Sequence, residues 1–83
     1  MNDTLREIFA NQGRLGGAIE GLADDADLFS AGLDSLAIVS VMLAVEDRFD
    51  VEIPDAFLNR STFASIAVLS SVLRQLQAER GSQ

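Results

Sequence analysis

The sequence predicts an all-α fold: a small antiparallel helical bundle of three main helices plus one short helix, with a long loop between helices one and two. Three observations predict it. Apolar residues recur at i, i+3, i+4 spacing in three separated stretches. No stretch alternates with the period of a strand. Glycines and the one proline fall between the periodic stretches. With 83 residues, 48% of them hydrophobic, the chain holds enough apolar side chains for one domain around one core. That domain is expected to occupy residues 1–83, with an ordered core over about 3–78.

The first helix is expected from about Asp3 to Gln12. Leu5, Ile8 and Phe9 share one face, Asn2 or Asp3 can cap the start, and Gly13 is a plausible stop unless Leu15 adds a turn. Between Gly13 and Asp34 the periodicity breaks. Five glycines interrupt any long helix there, and acids cluster at Asp24, Asp25 and Asp27. So long a loop in a compact domain often has a function. Leu15, Ile19, Leu22, Leu28, Phe29 and Leu33 are spaced along it, and several of them are expected to pin it to the core.

The second helix should run from about Ser35 to Phe49, capped by Asp34 or by Ser35 itself. At 100° per residue its apolar residues divide in two. Ile38, Val41, Met42, Val45 and Phe49 form a core stripe, while Leu36, Val39 and Leu43 fall on the opposite side with Ser40, Glu46 and Asp47. A connector over Asp50 to Asp55 contains Pro54, expected to open a short helix over Asp55 to Leu58. Ser61 or Thr62 then caps a last helix to about Ala78. Its inward stripe is Ile66, Leu69, Leu73 and Leu76, with Phe63 near its start and a polar, frayed tail from Glu79.

The composition excludes several kinds of function. There is no Cys, His, Lys, Trp or Tyr, so disulfides, thiolate metal sites and most nucleophile–base pairs cannot be built from this chain. No catalytic residue and no metal site is expected. A formal net charge of -7 argues against nucleic acid as a partner. No apolar run is long enough to span a bilayer, and Asp3, Arg6 and Glu7 make the start unlike a signal peptide, so no membrane association and a cytoplasmic address are expected. The charge is concentrated: between Asp24 and Asp55 nine acidic residues face Arg48 alone. This region is either a solvated face that aids solubility or a docking surface for basic partners.

Ser35 is the most informative residue. Its hydroxyl lies at the start of a helix, where the dipole and free N–H groups favour an anion. A serine-nucleophile reading fails, because Leu33 and Ala37 stand where a nucleophile elbow needs glycines and no His exists as base. Asp25-Ala26-Asp27 lacks the glycine and the closing glutamate of an EF-hand. Taken alone, Asp34-Ser35 is a plain helix start. An apolar strip beginning beside it and ending in acids has the form of a transient partner site.

Gly32-Leu33-Asp34-Ser35-Leu36, the helix end Val45-Glu46-Asp47-Arg48-Phe49, then Glu52-Ile53-Pro54-Asp55 and a Thr-Phe entry to the last helix together resemble the acyl carrier protein family, from about Asp27 to Leu76. The resemblance implies that a phosphopantetheinyl transferase attaches 4'-phosphopantetheine from coenzyme A to Ser35. The arm's thiol then carries an acyl or aminoacyl group as a thioester to downstream acyl-processing enzymes. It implies that Asp34 and Leu36 belong to the cofactor-binding site with Ser35, that Asp34 helps position the transferase and its metal, and that Leu36, Val39, Ser40, Leu43, Glu46 and Asp47 form the partner face of a monomeric, non-catalytic carrier. Ala37 and Ser40 stand where fatty-acid carriers tend to have acids. The segment Phe57-Leu58-Asn59-Arg60-Ser61-Thr62-Phe63-Ala64-Ser65-Ile66 instead looks like the small stand-alone carriers charged by amino acid:carrier protein ligases, relatives of the seryl-tRNA synthetase core. The alternative reading is an unmodified helical docking domain that uses the same face and leaves Ser35 as a helix cap.

Overall fold

The computed structural model describes residues 1–81. Among them there is no strand. The α-helices are α1 (Asn2–Asn11), α2 (Ser35–Phe49), α3 (Arg60–Phe63) and α4 (Ile66–Gly81), with single 3₁₀ segments at Gly16–Gly21 and Asp55–Phe57. The three main helices are as expected, but the short α-helix is α3, and the short helix expected over Asp55 to Leu58 is a 3₁₀ turn over Asp55–Phe57. The 3₁₀ turn inside the long loop was not legible, because Ile19 is its one buried side chain and gives no period. No helix among the described residues is long and apolar enough to cross a membrane.

The core lies where α1, α2 and α4 meet. Leu5 and Phe9 of α1, Val41 and Val45 of α2, and Ile66, Leu69 and Leu73 of α4 are fully buried, with Phe63 of α3 and Leu28 of the loop. Each such side chain contributes roughly 1.5–3 kcal/mol by leaving water. The loop residues Leu15, Ile19, Leu28 and Leu33 are buried as expected, and Leu22 and Phe29 pack partly against the same core.

Four local expectations are corrected or refined. Neither Asn2 nor Asp3 caps α1; Met1 occupies that position with no side-chain cap, because the Asn2 amide is turned to Asp24. Gly13 does follow the end of α1, but the left-handed residues are Arg14 and Gly16. Gly13 is needed for space, since a Cβ there would lie 2.6 Å from the Phe9 carbonyl oxygen. Pro54 precedes the 3₁₀ turn as its cap residue rather than opening it.

The fourth correction concerns the last helix, which is split. Asn59 caps α3 by accepting from the Thr62 N–H at 3.0 Å, and Ser65 Oγ accepts from the Val68 N–H at 3.1 Å at the start of α4. Neither Ser61 nor Thr62 is a cap. The cause is tertiary: the Ala64 carbonyl accepts from the Leu28 N–H at 2.7 Å, and the Ala67 N–H donates to the Asp24 carbonyl at 2.8 Å. The acidic loop thus takes backbone groups that a continuous helix would pair internally. At its other end α4 continues through Ala78 and Glu79 to Gly81, and the remainder of the expected frayed tail lies outside the described residues.

Candidate functional site

The site is built at the start of α2. Asp34 is the N-cap: its extended backbone (φ -108°, ψ 166°) turns its carboxylate onto the helix end, where Oδ1 accepts from the Ala37 N–H at 2.8 Å. Ser35 is the first helical residue, so of the two candidate caps Asp34 is the one used. The Ser35 side chain is thereby left out of the capping bond, and the residue is exposed.

The two faces of α2 divide as the periodicity indicates, with one refinement. Ala37, Val41 and Val45 enter the core, while Ile38, Met42 and Phe49 are only half-buried. Ile38 and Met42 line a groove of about 360 Å³ instead, together with Ser35, Val39, Leu58, Asn59 and Arg60. The expected core stripe is therefore shared between the interior and this groove. Sequence periodicity could not separate the two, since both lie on the same side of the helix.

The outward residues form one apolar surface beginning at Ser35. Leu36 is 86% exposed, Leu43 57% and Val39 55%, and Leu58 adds to it from across the groove. Ser40 and Asp47 are exposed beside them. Glu46 differs: it is half-buried, and its Oε2 accepts from the Ile53 N–H at 2.8 Å, so this carboxylate braces the connector against α2.

The far wall of the groove is the segment that sequence reasoning valued only for its resemblance. Arg60 Cζ lies 4.1 Å from the centre of the Phe29 ring, a cation–π contact of about 0.5–1 kcal/mol at an exposed position. Asp27 orders that loop by accepting from the Phe29 N–H at 3.0 Å and from Ser30 Oγ at 2.9 Å. Its carboxyl is held below the usual range by the Ser30 hydroxyl, then by the backbone N–H of Phe29, with a smaller contribution from the Arg60 charge. The relevant sequence signal was an aromatic and a basic residue, each beside a loop. Their separation of 31 positions concealed the pairing.

Among the described residues no group of three or more acids is placed to hold a metal ion. The arrangement suits a covalently attached anion on a flexible chain. An exposed hydroxyl stands at a helix N-terminus, an apolar groove begins beside it, and an arginine lies on the groove's opposite wall.

Comparisons with known proteins agree with this geometry. Residues 3–79 match the family described as phosphopantetheine attachment site. The chain is 47% identical over 74 residues to the aminoacyl carrier protein of Agrobacterium fabrum (strain C58), covering 89% of each. It is similar to a chain in the crystal structure of an engineered Bradyrhizobium japonicum glycine:[carrier protein] ligase complexed with carrier protein from Agrobacterium tumefaciens and AMP. There the TM-score is 0.84 at 47% identity, over 89% of this chain and 99% of that one. A solution structure from Agrobacterium tumefaciens matches over the full length of both chains, with a TM-score of 0.78 at 42% identity. The chain belongs to the phosphopantetheine-attachment family of acyl carrier proteins, non-catalytic proteins whose prosthetic group is 4'-phosphopantetheine.

Proposed function

We propose that Ser35 is the attachment point and that the protein is an aminoacyl carrier loaded by an amino acid:carrier protein ligase. The observation that carries this reading is the junction at α2. Asp34 spends its carboxylate on the Ala37 N–H, and the neighbouring Ser35 hydroxyl stays exposed at the mouth of an apolar groove. In the modification, the Ser35 Oγ–H bond and a pyrophosphate P–O bond of coenzyme A break. An Oγ–P bond forms, adenosine 3',5'-bisphosphate leaves with the bridging oxygen, and the serine proton is released. When bound, the arm supplies the thiol that this Cys-free chain lacks, and a tethered thioester reaches successive enzymes at high effective concentration.

The aminoacyl subtype is supported by the relative's name and by the ligase complex in which a similar carrier sits. Leu36, Val39, Ser40, Leu43 and Asp47 are the surface offered to the transferase, the ligase and the acyl-processing enzymes. Glu46 supports that surface from beneath through its bond to Ile53. A single-domain monomer is the working form, in the cytoplasm, where coenzyme A and ATP are supplied.

The test is an intact mass after incubation with coenzyme A, magnesium and a broad-specificity phosphopantetheinyl transferase, beside Ser35→Ala. A gain of one phosphopantetheinyl group, absent in the variant, is expected. ATP, an amino acid and an amino acid:carrier protein ligase should then add one aminoacyl group. Loading of fatty acids by an acyl-carrier synthetase with none of amino acids by such a ligase would overturn the aminoacyl reading.

A further inference from the structure

Arg60 is placed unlike any other basic residue of the chain whose side chain is described. It stands on the groove wall opposite Ser35 and is stacked on Phe29 from behind. Stacking uses one face of the guanidinium and leaves its in-plane N–H donors available. Among the described residues no hydrogen bond or ion pair uses them, and Asp27 acts on Arg60 only as a minor, longer-range charge. Arg6, by contrast, uses its donors on Ile19 and Asp24. The side chain is thus oriented by an aromatic ring, with a hydroxyl-bearing residue lining the same apolar groove.

The charge around Ser35 makes a cation there consequential. The start of α2 has Asp34 beside the hydroxyl and no basic residue in its first turn. A phosphodiester at Ser35 adds a permanent negative charge next to that carboxylate, and like charges so close destabilise the folded state. The α2 N-terminus offsets part of it, and Arg60 is the one cationic side chain among the groove-lining residues, with a planar fork that matches phosphate oxygens.

We propose that Arg60 is the positioning residue for the arm: its guanidinium pairs with the phosphodiester installed on Ser35 and draws the root of the arm into the groove between α2 and α3. This inference rests on Ser35 being the attachment point. The Phe29 stack holds Arg60 on the groove wall from the loop side, and Asp27 acts indirectly by ordering the loop that carries Phe29. The ligand is the phosphodiester of the protein's own arm. A partner's carboxylate is the other anion that such a guanidinium accepts, and the experiment separates the two because no partner is present.

The experiment compares unmodified and modified protein, with modification at Ser35 verified by mass. The first readout is the Arg60 side-chain Nε–Hε resonance of the wild-type protein. The second is the change in Tm on modification for wild type, Arg60→Lys and Arg60→Gln at low salt. The expected result is a clear shift of the Arg60 resonance on modification. The expected Tm change is on the order of 2–5 °C more favourable in wild type than in Arg60→Gln, with Arg60→Lys between them and the difference shrinking in high salt. An unmoved Arg60 resonance together with equal Tm changes in wild type and Arg60→Gln would overturn the proposal while leaving attachment at Ser35 intact. Absence of the mass gain would overturn the attachment, and this inference with it. The resonance is read on the wild-type chain, so the test stands even if Arg60→Gln folds poorly.

Discussion

Arg6 of α1 and Asp24 of the long loop form an ion pair of 2.6 Å, Nη2 to Oδ1, across 18 positions of sequence. The same Asp24 accepts from the Asn2 amide at 3.0 Å through Oδ2, and its backbone carbonyl takes the Ala67 N–H of α4. Arg6 in turn donates to the Ile19 carbonyl at 2.8 Å. One loop residue therefore ties α1 to α4, and one arginine ties the middle of the loop, at Ile19 and Asp24, to α1.

This pairing makes stability sensitive to acid. The Asp24 carboxyl is held below the ordinary range, mainly by the hydrogen bond from Arg6, then by that from Asn2. The folded state therefore binds this proton at lower pH than the unfolded chain does. Its contribution is complete above the unfolded value of about 3.9 and disappears as the pH falls through the lower folded value. Asp27 behaves in the same direction. Asp24→Asn should lower the Tm at pH 7 and flatten its fall between neutral and acid pH. Parallel Tm–pH curves for variant and wild type would contradict the assignment.

Gly13 and Gly17 should respond oppositely to alanine. A Cβ at Gly13 meets the Phe9 carbonyl oxygen at 2.6 Å, so Gly13→Ala is expected to cost about 1–3 kcal/mol through a forced backbone shift. Gly17 has nothing within 4 Å of such a Cβ and no left-handed backbone. Gly17→Ala should be neutral or stabilise by up to about 1 kcal/mol by restricting the unfolded chain. Urea denaturation measures both.

Asp34 and Ser35 separate stability from modification. Asp34→Ala removes the bond to the Ala37 N–H and should cost about 1 kcal/mol. Ser35→Ala, at an exposed position that does not cap, should change stability by less than about 0.5 kcal/mol while abolishing the mass gain.

Glu46 and Asp47 are adjacent acids with different tasks. Glu46→Ala frees the Ile53 N–H, in a segment where Ile53 itself is buried, and should cost about 1 kcal/mol in urea denaturation. Asp47→Asn should leave stability unchanged within about 0.5 kcal/mol and instead slow association with a ligase or transferase at low salt, measured as kon. A stability loss at Asp47 equal to that at Glu46 would contradict the division.

What the sequence alone determined is what local chemistry controls. The bounds of α2 followed from Asp34, a run of helix-compatible residues and the 3.6-residue period. The exposure of Leu36, Val39 and Leu43 followed from the same geometry. The Ser35 junction was legible because a cap and the hydroxyl beside it are neighbours in sequence. Tertiary structure alone decided the split between α3 and α4, the hub at Asp24, the inward turn of Glu46 and the stacking of Arg60 on Phe29. Except for the turn of Glu46, seven positions from Ile53, these depend on groups brought together by burial of the loop's leucines, many residues apart in the chain. Their partners are chosen by which backbone groups the core leaves unpaired, and no periodicity encodes that choice. The groove beside Ser35 belongs to the same class: Ile38 and Met42 read as core from their spacing, and only the placement of Leu58, Asn59 and Arg60 opposite them makes that flank of α2 a site.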